Sequence, residues 1–331
     1  MASLLAGLPV DVPGATVNRL CGSSMEAIAI AARALKSGET SLMIAGGVES
    51  MTRAPFAMAK GESAFSREVR VFDTTIGARF SNPRIAKAYG TDSMPETGDN
   101  VAREIGVSRE EADRYAARSQ ERYERARAAG FYAGEIHPIE IPARKGAPTV
   151  VKADEHPRPD STLEALARLK PLFEGGVVTA GNASGINDGA AALLVGSRAA
   201  GERAGVKPLV RILSSAAAGV EPRVMGIGPV YAIPKALARA GLSLDRMDVV
   251  EINEAFASQV LACLKLLGVR YEDERVNPNG GAIAVGHPLG ASGARLALTA
   301  ARELQRRKGK YAVVSLCIGV GQGLAVVLER A

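Results

Sequence analysis

Two cysteines in this chain stand in settings that suit chemistry better than packing. Cys21 follows an apolar run and precedes Gly22 and a helix-like segment. Unpaired backbone N–H groups and the helix dipole are expected there to favour the thiolate and lower the thiol pKa. Cys317 opens CIGVGQG, whose alternating glycines let backbone N–H groups approach a ligand. For each cysteine the alternative is a small, inert, buried side chain.

One histidine and one asparagine complete the candidate set. His287 lies among five glycines in NGGAIAVGHPLGASGAR. A loop with so few large side chains can contribute little to a hydrophobic core. His137 and His156 each precede a proline in a polar region, which predicts surface positions for both. Asn253 follows a buried strand in NEAF, where ligands bind in open α/β sheets. Helix capping explains Asn253 equally well.

Taken together, two thiols, one imidazole and one carboxamide fit the exchange of acyl thioesters. That exchange requires a thiolate nucleophile, a base that generates it, and a second acid/base for the carbanion. It also requires N–H donors for the oxyanions, which the glycine-rich loops can supply. The set therefore predicts an acyl-transfer site.

Strand–helix–strand alternation surrounds these residues and predicts an α/β fold. Ala15–Leu20 is predicted as a short buried strand, followed by a helix to about Lys36 and a strand at Leu42–Ala45, so a βαβ unit and a parallel sheet are expected. Later buried strands are predicted at Gly189–Val195, Met247–Ile252 and Tyr311–Leu316, and helices at 108–129 and Ser292–Arg307.

The chain length of 331 residues allows two or three domains. The segment from Cys21 resembles the segment from Gly290 in its order of turn, Ala-rich helix, basic turn and strand, which indicates two similar α/β halves. A polar, proline-rich region separates them. We therefore predict an N-terminal domain at 1–50, an inserted loop domain at 51–186, a return at 187–206 and a C-terminal domain at 207–331.

Composition narrows the class of protein. The chain is 47% hydrophobic and 23% charged, with a net charge of +6 spread over helical faces, so the basic residues are expected to be a solvated surface. No nucleic-acid partner or membrane contact is predicted, although the charge would suit a polyanionic small substrate. Three cysteines without paired spacing argue against disulfides and a zinc site and favour a reducing, cytoplasmic compartment.

At these motifs the sequence resembles the thiolases, the acetyl-CoA acyltransferases. The matching segments are NRLCGSS, NEAF, GGAIAVGHPLGASGAR and CIGVGQG, and the similarity extends over essentially the whole chain. The resemblance implies a duplicated five-layer α-β-α-β-α architecture with an inserted loop domain. It also implies coenzyme A as co-substrate, CoA thioesters as ligands, no permanently bound cofactor or metal, and a homodimer or homotetramer.

The resemblance assigns roles position by position. Cys21 matches the acylated nucleophile, and His287 matches the base that activates it. Cys317 matches the acid/base at the α-carbon of acetyl-CoA. Asn253 matches the residue that holds a water for the enolate, and the N–H groups of Cys21 and Gly319 match an oxyanion hole.

Further positions match the CoA side of the site. They are Ser184, Ala183, Met94, Met225, Arg158 and Phe256. Ser184 and the two methionines match the pantetheine channel, and Arg158 matches an adenine-side contact. A turn residue is the alternative for Ser184, and core packing is the alternative for the methionines.

Within the family, the segments from Asp73 and Asp154 look most like members that act on 3-oxoadipyl-CoA in aromatic catabolism. Ala78 departs from that pattern, because these members usually have tryptophan at this position. Arg79 and Arg84 are the candidates to bind the distal carboxylate of the dicarboxylic substrate. An acetoacetyl-CoA thiolase, a ketoacyl synthase and a non-catalytic CoA-binding remnant are the alternatives. Family members begin with a further strand–helix–strand unit, so the first strands of the N-terminal half are expected to be missing.

Overall fold

A computed structural model describes residues 1–61 and 63–331 of the chain. The α-helices are α1 Ala2–Leu5, α2 Ser23–Ser37, α3 Pro83–Tyr89, α4 Met94–Ile105, α5 Arg109–Ala128, α6 Leu163–Ala167, α7 Arg198–Arg203, α8 Gly228–Ala240, α9 Ala257–Leu266, α10 Ala282–Val285 and α11 Leu289–Arg307. Short 3-10 helices span Tyr132–Gly134, Pro222–Ile227 and Leu244–Arg246.

The strands form two central sheets and two small hairpins. They are β1 Leu42–Glu49, β2 Phe56–Met58, β3 Val71–Asp73, β4 Ile139–Ile141, β5 Thr149–Val151, β6 Gly189–Gly196, β7 Val210–Gly219, β8 Val249–Ile252, β9 Tyr311–Ile318 and β10 Gln322–Arg330. The first central sheet pairs β1 with β6, and the second has the order β7-β10-β9-β8. The hairpins pair β2 with β3 and β4 with β5.

Two helices occupy the middle of the molecule. Helices α2 and α11 pack against each other and lie between the two central sheets. Helix α8 covers the far side of the four-stranded sheet, and α4 and α5 pack on α9 beside it. The described residues therefore form an α-β-α-β succession, which supplies four of the five predicted layers. Each central helix leads into a central strand, α2 into β1 and α11 into β9, as the internal similarity predicts.

The two central sheets differ in burial. Every residue of β8 is buried, as are seven of the eight residues in β9. In the β1–β6 sheet one face packs on the central helices, whereas the outer face carries Ile44, Val48 and Leu194 at 58%, 69% and 54% exposure. Among the described residues, strand β1 pairs on one side only, with β6.

Local sequence signals place the main helices correctly. Helix α5 begins where a capping box was predicted, since Ser108 Oγ accepts from Glu111 N at 3.2 Å and the Glu111 carboxylate accepts from Ser108 N at 2.7 Å. Helix α2 ends at Gly38, whose φ of 78° is the left-handed conformation that glycine adopts freely.

The predicted strand at Ala15–Leu20 is wrong. The segment forms no strand and is mostly exposed, with only a single bridge between Arg19 and Cys21. An apolar run becomes a strand only when a neighbour satisfies its backbone groups, and β1 pairs instead with β6. The expected parallel βαβ unit is therefore wrong as well, because β1 and β6 are antiparallel. The one parallel pair of named strands in the described residues joins β8 to β9.

In the part of the chain that the structure describes, no helix is long and apolar enough to cross a membrane. The predicted domain boundaries stay a prediction. The region 51–186 contains both small hairpins and the helices α3 to α6.

Candidate active site

Cys21 lies at the N-terminal end of α2, immediately after a left-handed residue. Leu20 has a φ of 50°, an uncommon conformation for a residue with a side chain. Gly22 then caps the helix, and a Cβ at this position would lie 2.5 Å from Ile318 Cδ1. A side chain at this position would displace that of Ile318, because the start of α2 touches the end of β9. This contact brings the Cys21 turn next to the strand that carries Cys317.

The two thiols lie close enough to interact electrostatically. Backbone N–H groups of Gly319 and of Cys21 itself donate to the Cys21 thiol and lower its pKa, whereas Glu49 raises it. Cys317 is 1% exposed, and burial followed by the charge of Cys21 raises the pKa of its thiol well above the usual range. Two N–H donors and a second thiol thus converge on Cys21.

The sequence-based expectation of a lowered pKa for Cys21 is wrong. Burial outweighs the two backbone hydrogen bonds and raises the pKa of this thiol to about 11. A thiolate at this position is poorly hydrated, and the free energy of this lost hydration exceeds the stabilisation by the two N–H donors. At neutral pH both Cys21 and Cys317 are therefore thiols in the free protein.

His287 is held by polar contacts at both its backbone and its ring. Its N–H donates to Asn187 Oδ1 at 3.1 Å, and Nδ1 lies 2.6 Å from Ser292 Oγ. The residue is 6% exposed. Burial, and secondarily the charge of Arg295, lowers the pKa of the imidazole to about 4. The ring is therefore neutral at physiological pH and able to accept a proton.

Asn253 faces the imidazole. Its Nδ2 lies 3.4 Å from His287 Nε2, and its buried Oδ1 has no hydrogen-bond partner among the described residues. A buried carbonyl oxygen in this state can accept a hydrogen bond from water or substrate. Cys21, Cys317 and Gly319 thus form one group, and Asn253 and His287 form a second. Asn253 N donates to the carbonyl of Ser315 at 2.9 Å, two residues before Cys317, which joins the two groups.

A buried carboxylate behind Asn253 anchors this part of the site. Glu254 is 1% exposed and accepts from Tyr115 Oη at 3.0 Å and from Ser119 Oγ at 2.6 Å, both on α5. It also accepts from Asn277 Nδ2 at 2.9 Å and from Ile283 N at 3.2 Å. One side chain therefore ties the end of β8 to α5 and to the glycine loop that carries His287.

Several residues predicted for the CoA side pack around Cys317. Met225, Phe256 and Cys317 belong to one buried apolar cluster, with Ala183 packed against it. Ser184 N donates to Ala255 O at 3.0 Å, which joins its loop to the NEAF segment. These contacts place an apolar wall beside the thiols.

Met94 and Arg158, the two remaining residues predicted for the CoA side, lie in different parts of the structure. A Cβ on Gly319 would be 3.8 Å from Met94 Sδ, so Met94 lies beside the glycine loop at the start of α4. Arg158 is exposed on a loop, and its Nη1 donates to the carbonyls of Glu155 at 3.0 Å and His156 at 2.8 Å.

The expectation that His156 lies on the surface is wrong in part. Its ring is half-buried against Gly185, where an added Cβ would come within 2.3 Å of Cε1. Burial lowers the pKa of this imidazole, while a hydrogen bond to the backbone of Ile283 acts in the opposite direction. The Pro-rich segment folds back on the loop that carries Ser184, a tertiary contact that no local pattern indicates.

Sequence reasoning missed Glu254, Asn187 and Ser292. Ser292 follows His287 by five residues, in the first turn of α11, a separation that lets its hydroxyl return to the ring. For Glu254, the only local signal was an acidic residue at the end of an apolar strand. In the described residues, no three His, Cys, Asp or Glu side chains are grouped so as to hold a metal ion.

The raised pKa of Cys21 predicts how this thiol reacts with iodoacetamide. Because thiolate is the reactive species and the thiol pKa is about 11, the alkylation rate should rise about tenfold per pH unit between pH 7 and pH 10. Peptide mapping by mass spectrometry measures the rate at Cys21, with the Cys21→Ser variant as the background. A rate that levels off below pH 8 contradicts the neutral thiol.

Comparisons with known proteins identify the family of the chain. The family model of the thiolase N-terminal domain matches residues 1–199, and that of the thiolase C-terminal domain matches residues 206–330. The chain belongs to the thiolase family, and it is an acyltransferase of that family. The thiolase-like α/β fold predicted from the motifs is thereby confirmed.

Individual relatives are similar over the whole chain. The chain is 57% identical to a beta-ketoadipyl-CoA thiolase of Acinetobacter baylyi, over 100% of this chain and 82% of the relative. It is 45% identical to an acetyl-CoA acetyltransferase of Pseudomonas aeruginosa, over 99% of this chain and 82% of the relative. The crystal structure of human mitochondrial 3-ketoacyl-CoA thiolase in complex with CoA matches with a TM-score of 0.89 and 42% identity, over 99% of this chain and 80% of that one.

Proposed function

We propose that this thiolase cleaves 3-oxoadipyl-CoA with coenzyme A to give acetyl-CoA and succinyl-CoA. The proximity of the Cys21 and Cys317 thiols, the Gly319 N–H at Cys21, and the neutral His287 imidazole beside Asn253 support this chemistry. Coenzyme A is the co-substrate, and no other cofactor is invoked.

The first half-reaction acylates Cys21. Since thiol and imidazole are both neutral in the free protein, the proton passes from Cys21 Sγ to His287 as sulfur attacks the 3-keto carbon. The C2–C3 bond then breaks, and its electron pair remains on C2 as the enolate of acetyl-CoA. Cys317 donates its proton to C2, and acetyl-CoA leaves.

The second half-reaction releases the acyl group. The thiol of coenzyme A gives its proton to the Cys317 thiolate and attacks the succinyl thioester on Cys21. The N–H groups of Cys21 and Gly319, which converge on Sγ in the free protein, would donate to the oxyanion of the tetrahedral intermediate. As the intermediate collapses, Cys21 takes back its proton from His287. Protons and electrons balance without a further reactant.

Identity supports 3-oxoadipyl-CoA over acetoacetyl-CoA as the substrate, since the chain is 57% identical to the beta-ketoadipyl-CoA thiolase and 45% identical to the acetyl-CoA acetyltransferase. A cation near the acyl tail would recognise the distal carboxylate. Arg79 and Arg84 remain the candidates, although Arg79 already donates to the carbonyls of Gly77 and Thr74 in its own exposed loop. Arg79 would have to turn from these contacts toward the substrate.

The substrate is tested by comparing two thioesters of equal length. Cleavage of 3-oxoadipyl-CoA should exceed that of 3-oxohexanoyl-CoA, which has a methyl group in place of the distal carboxylate, by about 10- to 100-fold in kcat/KM, because a hydrogen bond to a charged group is worth roughly 1.5–3 kcal/mol. Loss of the enolate absorbance and chromatography of the CoA products measure both reactions. If Arg79 or Arg84 binds the distal carboxylate, replacing that arginine by glutamine should lower the ratio of kcat/KM for 3-oxoadipyl-CoA to kcat/KM for 3-oxohexanoyl-CoA. Replacing the other arginine should leave the ratio unchanged.

Equal rates for the two thioesters would contradict the dicarboxylic substrate. Acetoacetyl-CoA should be cleaved more slowly than 3-oxoadipyl-CoA, and the reverse order would favour the acetyl-CoA acetyltransferase alternative. If folded protein binds CoA but cleaves none of the three thioesters, the non-catalytic alternative holds.

We further propose a cytoplasmic, homodimeric or homotetrameric enzyme. Three free cysteines, of which Cys263 and Cys317 are buried, support a reducing compartment. The exposed apolar residues on the outer face of the β1–β6 sheet support further association of the chain. Light scattering of the purified protein measures the oligomeric state directly.

A further inference from the structure

We propose that Ser292 is a positioning residue that fixes the tautomer of His287, so that Nδ1 carries the proton and Nε2 presents its lone pair to Cys21. This inference rests on the proposed role of His287 as the base. It assigns a function to a hydroxyl group that the catalytic steps themselves do not use.

The geometry around Ser292 defines the direction of each hydrogen bond. Ser292 Oγ lies 2.9 Å from the carbonyl oxygen of Pro288 and 2.6 Å from His287 Nδ1. A carbonyl oxygen only accepts, so the single hydroxyl proton of Ser292 is used in the bond to Pro288. With its proton on the Pro288 carbonyl, Ser292 accepts from the imidazole, and this arrangement assigns the ring proton to Nδ1.

Burial makes this assignment consequential. Ser292 is 1% exposed and His287 is 6% exposed, so no bulk water replaces the hydroxyl when it is lost. An imidazole N–H left without an acceptor in such a place is strongly disfavoured. The proton would then move to Nε2, which would become a donor and could no longer take the proton of Cys21.

The helix that carries Ser292 also fixes its distance from the ring. Pro288 is the N-terminal cap of α11, and Ser292 lies one turn further, so the hydroxyl bonds to the carbonyl of its own preceding turn. Asn187 holds the backbone N–H of His287 from the other side at 3.1 Å. Main chain and ring are thus constrained separately, and Ser292 alone contacts Nδ1 within 3 Å among the described hydrogen bonds.

The tautomer can be measured in the unaltered enzyme. Nitrogen-15 NMR of histidine-labelled protein distinguishes a protonated Nδ1 from a protonated Nε2, and the chain has only three histidines to assign. We expect the Nδ1–H form for His287. A predominant Nε2–H form in the wild-type protein would overturn the proposal, whatever any variant does.

The variant Ser292→Ala should lose the Nδ1–H signal and should slow the exchange of labelled CoA into acetyl-CoA by about 10- to 100-fold in kcat, with KM nearly unchanged. Ser292→Thr keeps a hydroxyl and should restore both the tautomer and most of the rate. Ser214→Ala is the matched control, since Ser214 is also buried and donates to a backbone carbonyl, that of Ala236, at 2.6 Å.

The outcomes separate this inference from the proposed function. Unchanged exchange and an unchanged tautomer in Ser292→Ala would refute the positioning role. An equal loss of rate in Ser292→Ala and Ser214→Ala would mark the effect as structural and would also refute it. If the wild-type enzyme cleaves no 3-oxoacyl-CoA yet shows the Nδ1–H form, which Ser292→Ala abolishes, the proposed function fails while the tautomer assignment stands.

Discussion

The variant Cys317→Ala should lose cleavage of 3-oxoacyl-CoA by about 10³-fold, while the exchange of CoA with acetyl-CoA at Cys21 stays within about tenfold of the wild type. Cleavage produces an enolate whose carbon must be protonated, and Cys317 is the thiol placed next to Cys21 for that step. Exchange of the thioester passes through no enolate. Because Cys317 loses no proton in this reaction, His287 alone can carry the proton between Cys21 and coenzyme A, and the Cys317 thiol is not required.

Steady-state cleavage and exchange of labelled CoA, measured on the same preparation, give both numbers. Cys263→Ala is the matched control, because this thiol is also fully buried but lies on α9, where it contacts the carbonyl of Gly226. The control should leave both reactions unchanged. Equal losses of cleavage and exchange in Cys317→Ala would contradict a role confined to the carbanion step.

The variant Cys21→Ala should lose both cleavage and exchange by about 10⁴-fold or more, since no acyl-enzyme can form without the nucleophile. Binding of coenzyme A should persist, because the residues predicted for the CoA side lie outside α2: Ser184 and Phe256 are in loops, and Met225 is in the 3-10 helix Pro222–Ile227. Calorimetric titration with CoA and the two rate assays measure these outcomes. Cys21→Ser should show a similar loss, because a serine hydroxyl is a weaker nucleophile than a thiol at neutral pH.

The pair of cysteine variants distinguishes the two thiols. Cys317→Ala should lose only the cleavage of the carbon–carbon bond, whereas Cys21→Ala should lose every acyl transfer. Exchange activity that survives in Cys21→Ala would show that another residue carries the acyl group. A loss of CoA binding in the same variant would indicate a structural effect instead.

The chemistry of the site was predictable because residue types and local turns carry it. Cys21, Cys317 and His287 each stand in a glycine-rich segment at the end of a strand or the start of a helix. Backbone N–H groups are available at such positions whatever the rest of the fold does. The helices α2, α5 and α11 were predictable for the same reason, since caps and periodicity are local signals.

Features that depend on distant partners were not predictable. Strand β1 pairs with β6, about 150 residues later in the chain, and in antiparallel orientation, which no local pattern specifies. The segment at Ala15–Leu20 has suitable side chains for a strand but forms no ladder with a neighbour. A strand is a property of at least two segments, so its prediction from one segment fails when the second is elsewhere.

The predicted lowering of the Cys21 pKa was wrong for a related reason. The helix N-terminus at Cys21 was visible in the sequence, but the burial that raises the pKa of its thiol to about 11 comes from the packed loops around it. Glu254 illustrates the same limit, because its partners come from α5 and from the loop before α11. Local sequence indicated the groups, and only the fold determined their environment.

The most direct measurement of the central claim is the mass of the enzyme after brief incubation with 3-oxoadipyl-CoA in the absence of free CoA. Acylation without an acceptor thiol should leave one succinyl group per chain, and peptide mapping should place it on Cys21, with acetyl-CoA released in equal amount. Added CoA should remove the group as succinyl-CoA. An unmodified chain, or a succinyl group on any residue other than Cys21, would contradict the account.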